Sequence, residues 1–259
     1  MLLSTQAQAK IFEKKMMRDA FSLAEKDSVV VLDIDNTILR PSQSFGSVEW
    51  YDHAVSELRY KYQSQGLSSS LAELRAQNET IKIWEHVNAK TKVIPVEREI
   101  PALVAQLQKE GRTVIALTAR RIDYDRVTFL QLKSVGIDFN NNPHAMFTKQ
   151  PTFKDTKFMN GVFFSGHLND KGEVFVNFLN ENKLKPRSVL FIDDKDFNVK
   201  SLEKSLTPTS IEYFGVRYSG ADPFVNSLNP QVVALQYKSF LHEDKLLADE
   251  EALRLIRKK

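Results

Sequence analysis

The 259-residue chain has 42% hydrophobic and 27% charged residues, an ordinary globular composition that is long enough to bury one large core and a modest accessory subdomain. Its 36 Lys and Arg and 33 Asp and Glu give a net charge of +3, which is too balanced to indicate a nucleic-acid or membrane partner. The sequence has no cysteine, so disulfides, thiolate metal sites and cysteine nucleophiles are excluded.

The N-terminal segment, Met1–Ala9, is polar after its first three residues and has no apolar core, so we expect no intact signal peptide. No window of the sequence approaches the roughly 18 apolar residues that a membrane-spanning helix needs. These two features predict a cytoplasmic protein without a transmembrane segment.

Short apolar runs predict buried strands at four places and, more weakly, at a fifth. The runs lie at Val29–Leu32, Val114–Leu117, Gly161–Phe164, Ser188–Ile192 and Ile211–Val216. Strands that helices cover on both faces lose the alternation of apolar and polar residues, and this loss is typical of a parallel sheet.

Helical patterns alternate with these runs. They cover Glu99–Glu110, Asp123–Ser134, Glu173–Asn182 and Val199–Lys204. Gly111 and Gly136 lie where helix C-caps are expected. The alternation predicts an α/β fold with a doubly wound, Rossmann-like parallel sheet.

Three segments interrupt or extend this alternation. Residues 41–95 hold two helical patterns, Val48–Gln63 and Ser69–Asn88, and are interpreted as a helical insertion after the first strand. Residues 138–160 are polar and predict a long surface loop or a small irregular flap. Residues 229–259 predict a C-terminal amphipathic helix with one break. The predicted domains are a core of residues 1–40 and 96–228, the insertion of 41–95 and the terminal helix of 229–259.

A doubly wound sheet binds ligands outside the carboxyl ends of its strands, so the polar residues that follow each apolar run are the first candidates for a site. They are Asp33-Ile34-Asp35-Asn36-Thr37 after the first run, Thr118-Ala119-Arg120-Arg121 after the second and Asp193-Asp194 after the fourth, with Lys171 opening the helix before the fourth run.

Four carboxylates that converge on one place repel one another unless a cation lies among them. Magnesium accepts a few carboxylates and bridges to phosphate oxygens. These residues therefore predict a magnesium ion held by Asp33 and Asp193, with a backbone carbonyl near Asp35 and with Asp194 in the same metal group.

Phosphoryl transfer assigns a role to each of the other groups. Asp33 can attack phosphorus to form an aspartyl-phosphate, and Asp35 can protonate the leaving oxygen and later deprotonate water. Lys171 can offset the charge of the site, although it could instead be a solvated residue of an Asn-Asp-Lys-Gly turn. Asp194 can orient Lys171 or a metal-bound water.

Phosphate oxygens need donors, and four residues are candidates. Thr118 and the backbone amides near Asn36 and Thr37 can hold them, but Thr118 could simply cap the helix that begins near Asp123. Arg120 can bind a second anionic group of the substrate, although an arginine on a loop is more often solvated.

The order of these residues resembles the four motifs of the haloacid dehalogenase-like superfamily: Asp-x-Asp-x-Thr, then Thr, then a Lys that heads a helix, then Asp-Asp. The resemblance covers residues 28–216 and implies a Rossmann-like core, magnesium and a cap that controls substrate access. Family phosphatases and phosphomutases carry an acid at the position of Asp35, whereas members that dehalogenate or pump ions lack it. The resemblance therefore implies a phosphomonoester hydrolase that acts through an aspartyl-phosphate.

Val-Leu-Asp-Ile-Asp-Asn-Thr and Phe-Ile-Asp-Asp-Lys-x-x-Asn also resemble a bacterial branch that includes effector phosphatases delivered into host cells, one type of which acts on phosphotyrosine. This resemblance implies a phosphotyrosine or other phosphoprotein substrate, and it makes translocation into a host cell an alternative to the cytoplasm. An acidic cluster near the C-terminus would fit a translocation signal; it comprises Glu243, Asp244, Asp249, Glu250 and Glu251.

Two other functions fit the same residues. A phosphotransferase or phosphomutase shares these motifs, and a catalytically silent scaffold could bind a host protein or phosphoinositide through the insertion or the terminal helix. The acid at Asp35 favours an enzyme, because a silent site has no chemical need for it. We expect a phosphorylated small molecule or a phosphoprotein as substrate, and no nucleic acid.

Aromatic residues of the insertion could form an apolar substrate wall, but at helical spacing they are more often core. They are Trp50, Tyr51 and Trp84, with His53 and His86 beside them. The basic end of the terminal helix could lie on an anionic membrane, but the acidic residues of that helix favour a solvated or packed helix, so we do not expect membrane association.

Overall fold

The computed structural model describes residues 9–141 and 146–258. Three earlier predictions fall partly outside these residues. They concern the absence of a signal peptide at residues 1–8, residues 142–145 of the predicted flap, and Lys259 at the end of the predicted terminal helix.

The strands are β1 (Ala9–Lys14), β2 (Ser28–Leu32), β3 (Leu39–Pro41), β4 (Val93–Pro95), β5 (Thr113–Thr118), β6 (Lys157–Met159), β7 (Val162–Phe164), β8 (Ser188–Asp193) and β9 (Glu212–Tyr218). The α-helices are α1 (Met17–Phe21), α2 (Val48–Ser64), α3 (Ser69–Asn88), α4 (Ile100–Lys109), α5 (Asp125–Ser134), α6 (Lys171–Glu181), α7 (Asp196–Leu206), α8 (Asp222–Val225), α9 (Pro230–Glu243) and α10 (Asp249–Arg257).

Seven strands form one sheet in the order β1-β9-β8-β2-β5-β7-β6. The central strand β2 pairs in parallel with β5 on one side and with β8 on the other. The outermost strand β6 runs antiparallel to β7. The predicted α/β class with a mostly parallel, Rossmann-like sheet is confirmed.

The three central strands are buried along their whole length, since every residue of β2, β5 and β8 is buried. Val31, Leu117 and Phe191 share one core cluster with Phe175 and Phe178 of α6. Burial on both faces is the reason that these strands read as continuous apolar runs.

The sequence of strand β1 contains no continuous apolar run. The strand alternates between exposed and partly buried residues and pairs in parallel with β9 at the edge of the sheet. Apolar patterning therefore does not reveal this strand, because an edge strand has less apolar surface to bury than a central one.

The predicted flap at residues 138–160 is more than a surface loop. It contains β6, and Phe147 and Phe158 contact Phe178 of α6 with ring centroids 5.0 and 5.1 Å apart. Two aromatic residues in a polar segment thus attach it to the core.

The chain divides into two compact units, one of Met1–Leu39 with Pro95–Ala221 and the other of Arg40–Ile94 with Asp222–Lys259. The first unit contains the seven-stranded sheet. The second groups the helical insertion with the C-terminal segment, which the sequence analysis treated as separate domains. The terminal helix is broken once, between α9 and α10, as predicted.

The two tryptophans of the insertion lie in the interior of the second unit, whereas Tyr51 is half-buried and His53 and His86 are exposed. Trp50 and Trp84 are buried, Trp50 contacts the ring of Phe45 edge-on, and His86 contacts the ring of Phe240. For Trp50 and Trp84, burial and these contacts fit a place in the core of the helical insertion better than a substrate wall.

Candidate active site

A tight turn after β2 carries the first two acidic residues. The Asp33 amide donates to the Ile192 carbonyl at 2.9 Å, which continues the pairing of β2 with β8. Asn36 has a left-handed φ of +59°, a conformation that Asn tolerates better than most residues. Its amide donates to the Leu39 carbonyl at 2.9 Å, so this predicted phosphate donor is engaged within the turn.

Lys171 lies at the first position of α6, as predicted, and reaches the end of β2. Its Nζ donates to Asp33 Oδ1 at 2.6 Å and to Asp193 Oδ2 at 2.7 Å. A Cβ on Gly172 would lie 2.4 Å from the Ser201 carbonyl oxygen, so glycine lets the start of α6 approach α7 closely. From the sequence, Asp194 was expected to orient either Lys171 or a metal-bound water; the acceptors of the ammonium are Asp33 and Asp193.

Asp193 has further donors besides Lys171. The Lys195 amide donates to its Oδ1 at 2.8 Å, and Asn198 Nδ2 lies 3.0 and 3.1 Å from its two oxygens. Asn198 was not among the predicted site residues. Its signal in the sequence was its position in the Asp-Asp-Lys-x-x-Asn segment, in the first turn of α7.

Three buried carboxylates, those of Asp33, Asp193 and Asp194, each place an oxygen within 4.8 Å of the others. Burial raises the pKa of Asp33 to about 7 against the opposing effect of Lys171, and burial with the neighbouring carboxylates raises the pKa of Asp194 well above its ordinary value. For Lys171, burial opposes the charged form, but Asp193 and Asp33 outweigh it and raise its pKa.

A hard divalent cation fits this donor set. One ammonium offsets only part of the charge of three carboxylates, and oxygen ligands are those that magnesium prefers. The carboxylate of Asp35 is not a member of this group, and the ligand predicted from that segment was a backbone carbonyl near Asp35.

Two buried threonines lie beside the carboxylates. The Thr37 hydroxyl accepts from the Asp194 amide at 3.1 Å and lies 3.4 Å from Asp33 Oδ2, so it connects the ends of β2 and β8. The Thr118 hydroxyl accepts from the Arg120 amide at 3.2 Å. That bond closes the turn after β5, and it is not the helix cap near Asp123 that was the alternative interpretation.

Arg120 is buried, and its guanidinium binds the carboxylate of Asp35 in a bidentate arrangement. Its Nε and Nη2 each lie 2.8 Å from one oxygen of Asp35, and its Nη1 donates to Thr128 and Gln131 of α5. Burial opposes the charged form of this guanidinium, but Asp35 outweighs it and raises its pKa. The structure therefore places Arg120 on the candidate acid and not on an exposed loop surface.

Relatives among curated proteins cover most of the chain at low identity. A protein of Chlamydia muridarum named "Putative outer membrane protein" is 24% identical over 230 residues, which cover 88% of this chain and 82% of its own. An uncharacterized protein of Rickettsia prowazekii is 23% identical over 244 residues, which cover 90% of this chain and 85% of its own.

These names bear on location. From the sequence we predicted a cytoplasmic protein, with delivery into a host cell as the alternative. The outer-membrane names of the Chlamydia relatives contradict that prediction. In the described part of the chain, none of the helices combines the length and the apolar character needed to cross a bilayer. The resemblance to effector phosphatases gains no support from these relatives.

Among solved structures, the chain is similar to a haloacid dehalogenase-like family hydrolase from Streptococcus pneumoniae, with 11% identity, a TM-score of 0.42, and coverage of 78% of this chain and 99% of that one. A family model described as "Protein of unknown function (DUF2608)" matches residues 8–253. Because this match spans nearly the whole sequence, the chain belongs to the DUF2608 family.

Proposed function

We propose that this protein is a phosphomonoester hydrolase that passes a phosphoryl group through Asp33 and uses magnesium. The observation that carries the proposal is the meeting of Asp33 and Asp193 on the Nζ of Lys171, at 2.6 and 2.7 Å, in a buried site at the carboxyl end of the sheet. The substrate class is a phosphorylated small molecule or a phosphoprotein.

The cofactor would be held by the carboxylates of Asp33, Asp193 and Asp194. Bound there, magnesium supplies positive charge to the phosphoryl oxygens. Asn198 and the Lys195 amide restrain Asp193, and such restraint of a ligand supports metal affinity.

The chain's own residues divide the reaction into two displacements. In the first, an Asp33 oxygen forms a bond to phosphorus while the bond from phosphorus to the ester oxygen breaks, and Asp35 gives its proton to the leaving alcohol or phenol. In the second, Asp35 takes a proton from water and the water oxygen bonds to phosphorus. The bond from phosphorus to the Asp33 oxygen then breaks, which regenerates the Asp33 carboxylate and releases inorganic phosphate.

Lys171 and Arg120 act on different carboxylates in this scheme. Lys171 lowers the repulsion between Asp33 and the incoming phosphoryl oxygens, which is electrostatic stabilisation from a group already in place. Arg120 holds Asp35 by both oxygens and must share it with the substrate oxygen during proton transfer. In this scheme Lys171 therefore acts on the nucleophile Asp33, and Arg120 acts on the acid Asp35.

Phosphate release from para-nitrophenyl phosphate tests the proposal. We expect turnover with magnesium, none after chelation, and a loss of roughly a thousandfold or more for Asp33→Asn. Asp27→Asn, at an exposed position before β2, is the matched control and should keep full activity.

Two results would contradict the proposal. Undiminished turnover by Asp33→Asn rules out the covalent route, and transfer to an added alcohol with little free phosphate indicates a phosphotransferase. Binding of beryllofluoride in the presence of magnesium is an independent test, because beryllofluoride mimics a phosphoryl group on Asp33. The bound mimic should be visible in a crystal structure or in the fluorine-19 NMR spectrum of the wild type, and it should be absent from Asp33→Asn.

A further inference from the structure

A cavity of about 380 Å³ opens between the loops that follow β5 and β7. Ile122 and Arg121 line it from the first loop, and His167 and Leu168 line it from the second. Its volume lies within the range of small-molecule sites, roughly 300–1,000 Å³, so it matches a single ring or short chain and not a macromolecular surface.

Both loops are fixed to the candidate active site at the residue just before the cavity wall. Ser165 donates from its amide and from its hydroxyl to the Thr118 carbonyl, at 2.8 and 2.9 Å. Arg120 binds Asp35 at 2.8 Å, and Arg121 is the next residue. The lining of the cavity therefore begins one residue after Arg120, the residue that binds the candidate acid.

Three polar residues of the lining are engaged in hydrogen bonds. The Asn169 amide donates to the Lys154 and Ser165 carbonyls at 2.9 and 2.7 Å, and both oxygens of Asp123 accept from Arg121. The other polar side chains of the lining are those of Asp155 and His167.

Two aliphatic side chains, those of Ile122 and Leu168, also line the cavity. Ile122 is 36% exposed and Leu168 is 72% exposed, so each presents apolar surface to solvent at this edge of the sheet. Burial and the charge of Arg121 lower the pKa of His167, which favours the neutral imidazole. A guanidinium and a neutral imidazole beside two aliphatic side chains suit the face of an aromatic ring.

We propose that this cavity is the leaving-group subsite and that it takes the aromatic ring of an aryl phosphomonoester. The proposal rests on the proposed function for the placing of the phosphoryl group, and it adds the class of substrate. A ring seated between Ile122 and Leu168 would present its phenolic oxygen towards Asp35.

Selectivity between phenyl phosphate and glycerol 2-phosphate tests the subsite in the full-length protein with magnesium. For Leu168→Ala and for Ile122→Ala we expect kcat/KM for phenyl phosphate to fall roughly tenfold, mostly through KM, and kcat/KM for glycerol 2-phosphate to change less than about twofold. Leu130→Ala is the matched control, because Leu130 is 58% exposed on α5 and is absent from the lining; it should change neither substrate.

Equal losses for both substrates, or no loss for either, overturn the subsite while leaving the hydrolase intact. If the wild type turns over neither ester, the proposed function fails, and calorimetry with benzylphosphonate and methylphosphonate then decides the subsite alone. We expect the benzyl compound to bind roughly tenfold more tightly and Leu168→Ala to remove the difference; equal affinities in the wild type overturn the proposal.

Discussion

The carboxylates of the candidate site differ in their partners, and the partners suggest different duties. Asp33 and Asp193 share the Lys171 ammonium, whereas Asp35 is paired with Arg120. One ammonium brings Asp33 and Asp193 together, while a guanidinium holds Asp35 apart from them. Such a separation of environments would fit a nucleophile and a separate acid in paired-carboxylate chemistry.

Arg120→Lys is the sharpest test of the Arg120–Asp35 pair. A lysine keeps the charge but cannot bind both carboxylate oxygens as a planar fork, so Asp35 should be less well oriented. We expect kcat to fall roughly tenfold to a hundredfold and KM to change little in steady-state assays. Arg18→Lys, which alters an exposed pair with Glu99, is the control; a raised KM with normal kcat would instead support the role in substrate binding that we predicted from the sequence.

Asn198 is predicted to act through Asp193. Asn198→Ala removes the side-chain donor 3.0 Å from Asp193 Oδ1, and loss of such a ligand partner typically weakens metal affinity 10–100-fold. The magnesium concentration for half-maximal activity should therefore rise roughly tenfold. Asn177→Ala, which removes a bond to Glu181 on α6, should leave it unchanged, and an unchanged value for Asn198→Ala would speak against a supporting role.

At the scale of elements, the C-terminal segment is joined to the insertion by a buried polar network. Asp249, at the start of α10, accepts from the Ser44 amide at 2.7 Å, from the Ser44 hydroxyl at 2.8 Å and from Gln236 Nε2 at 2.7 Å. Gln236 in turn accepts from the Phe45 amide at 2.9 Å. These bonds explain why α9 and α10 belong to the second unit.

Asp249→Ala should destabilise the second unit by about 1–3 kcal/mol, because it leaves buried donors without an acceptor. The two tryptophans of the chain, Trp50 and Trp84, both lie in this unit, so tryptophan fluorescence during urea unfolding reports on it. Glu250→Ala, at the exposed neighbouring position, should stay within about 0.5 kcal/mol of the wild type. Equal midpoints for the two variants would mean that the network contributes nothing.

At the scale of the whole molecule, the buried acidic cluster is a source of instability that magnesium would relieve. Asp33, Asp193 and Asp194 are all buried, and carboxylates that meet away from water repel one another unless a cation lies among them. A ligand that binds only the folded state stabilises it, by about 2.7 kcal/mol at a concentration one hundred times its Kd.

Thermal unfolding followed by circular dichroism should therefore shift upwards when magnesium is added. Asp193→Asn should remove most of this shift, because it removes a charged ligand from the cluster. Sodium chloride at matched ionic strength is the control for general screening. A shift of equal size with sodium chloride, or an undiminished shift in Asp193→Asn, would show that the cluster does not bind the ion.

Sequence alone determined the class of the fold and the candidate residues that follow the strands. Apolar runs revealed β2, β5, β7, β8 and β9 because burial on both faces demands apolar residues throughout. The acids after β2 and β8 could be expected near each other because parallel strands end at the same edge of a sheet.

Only the tertiary structure determined which polar side chains pair with one another. The Lys171–Asp193, Arg120–Asp35 and Asp249–Ser44 contacts join residues 22, 85 and 205 positions apart. The grouping of the terminal helices with the insertion and the place of the edge strand β1 also emerged only there. Hydrophobic periodicity reports which face of an element is buried, whereas the partner of a polar side chain depends on distances that exist only after the elements have packed.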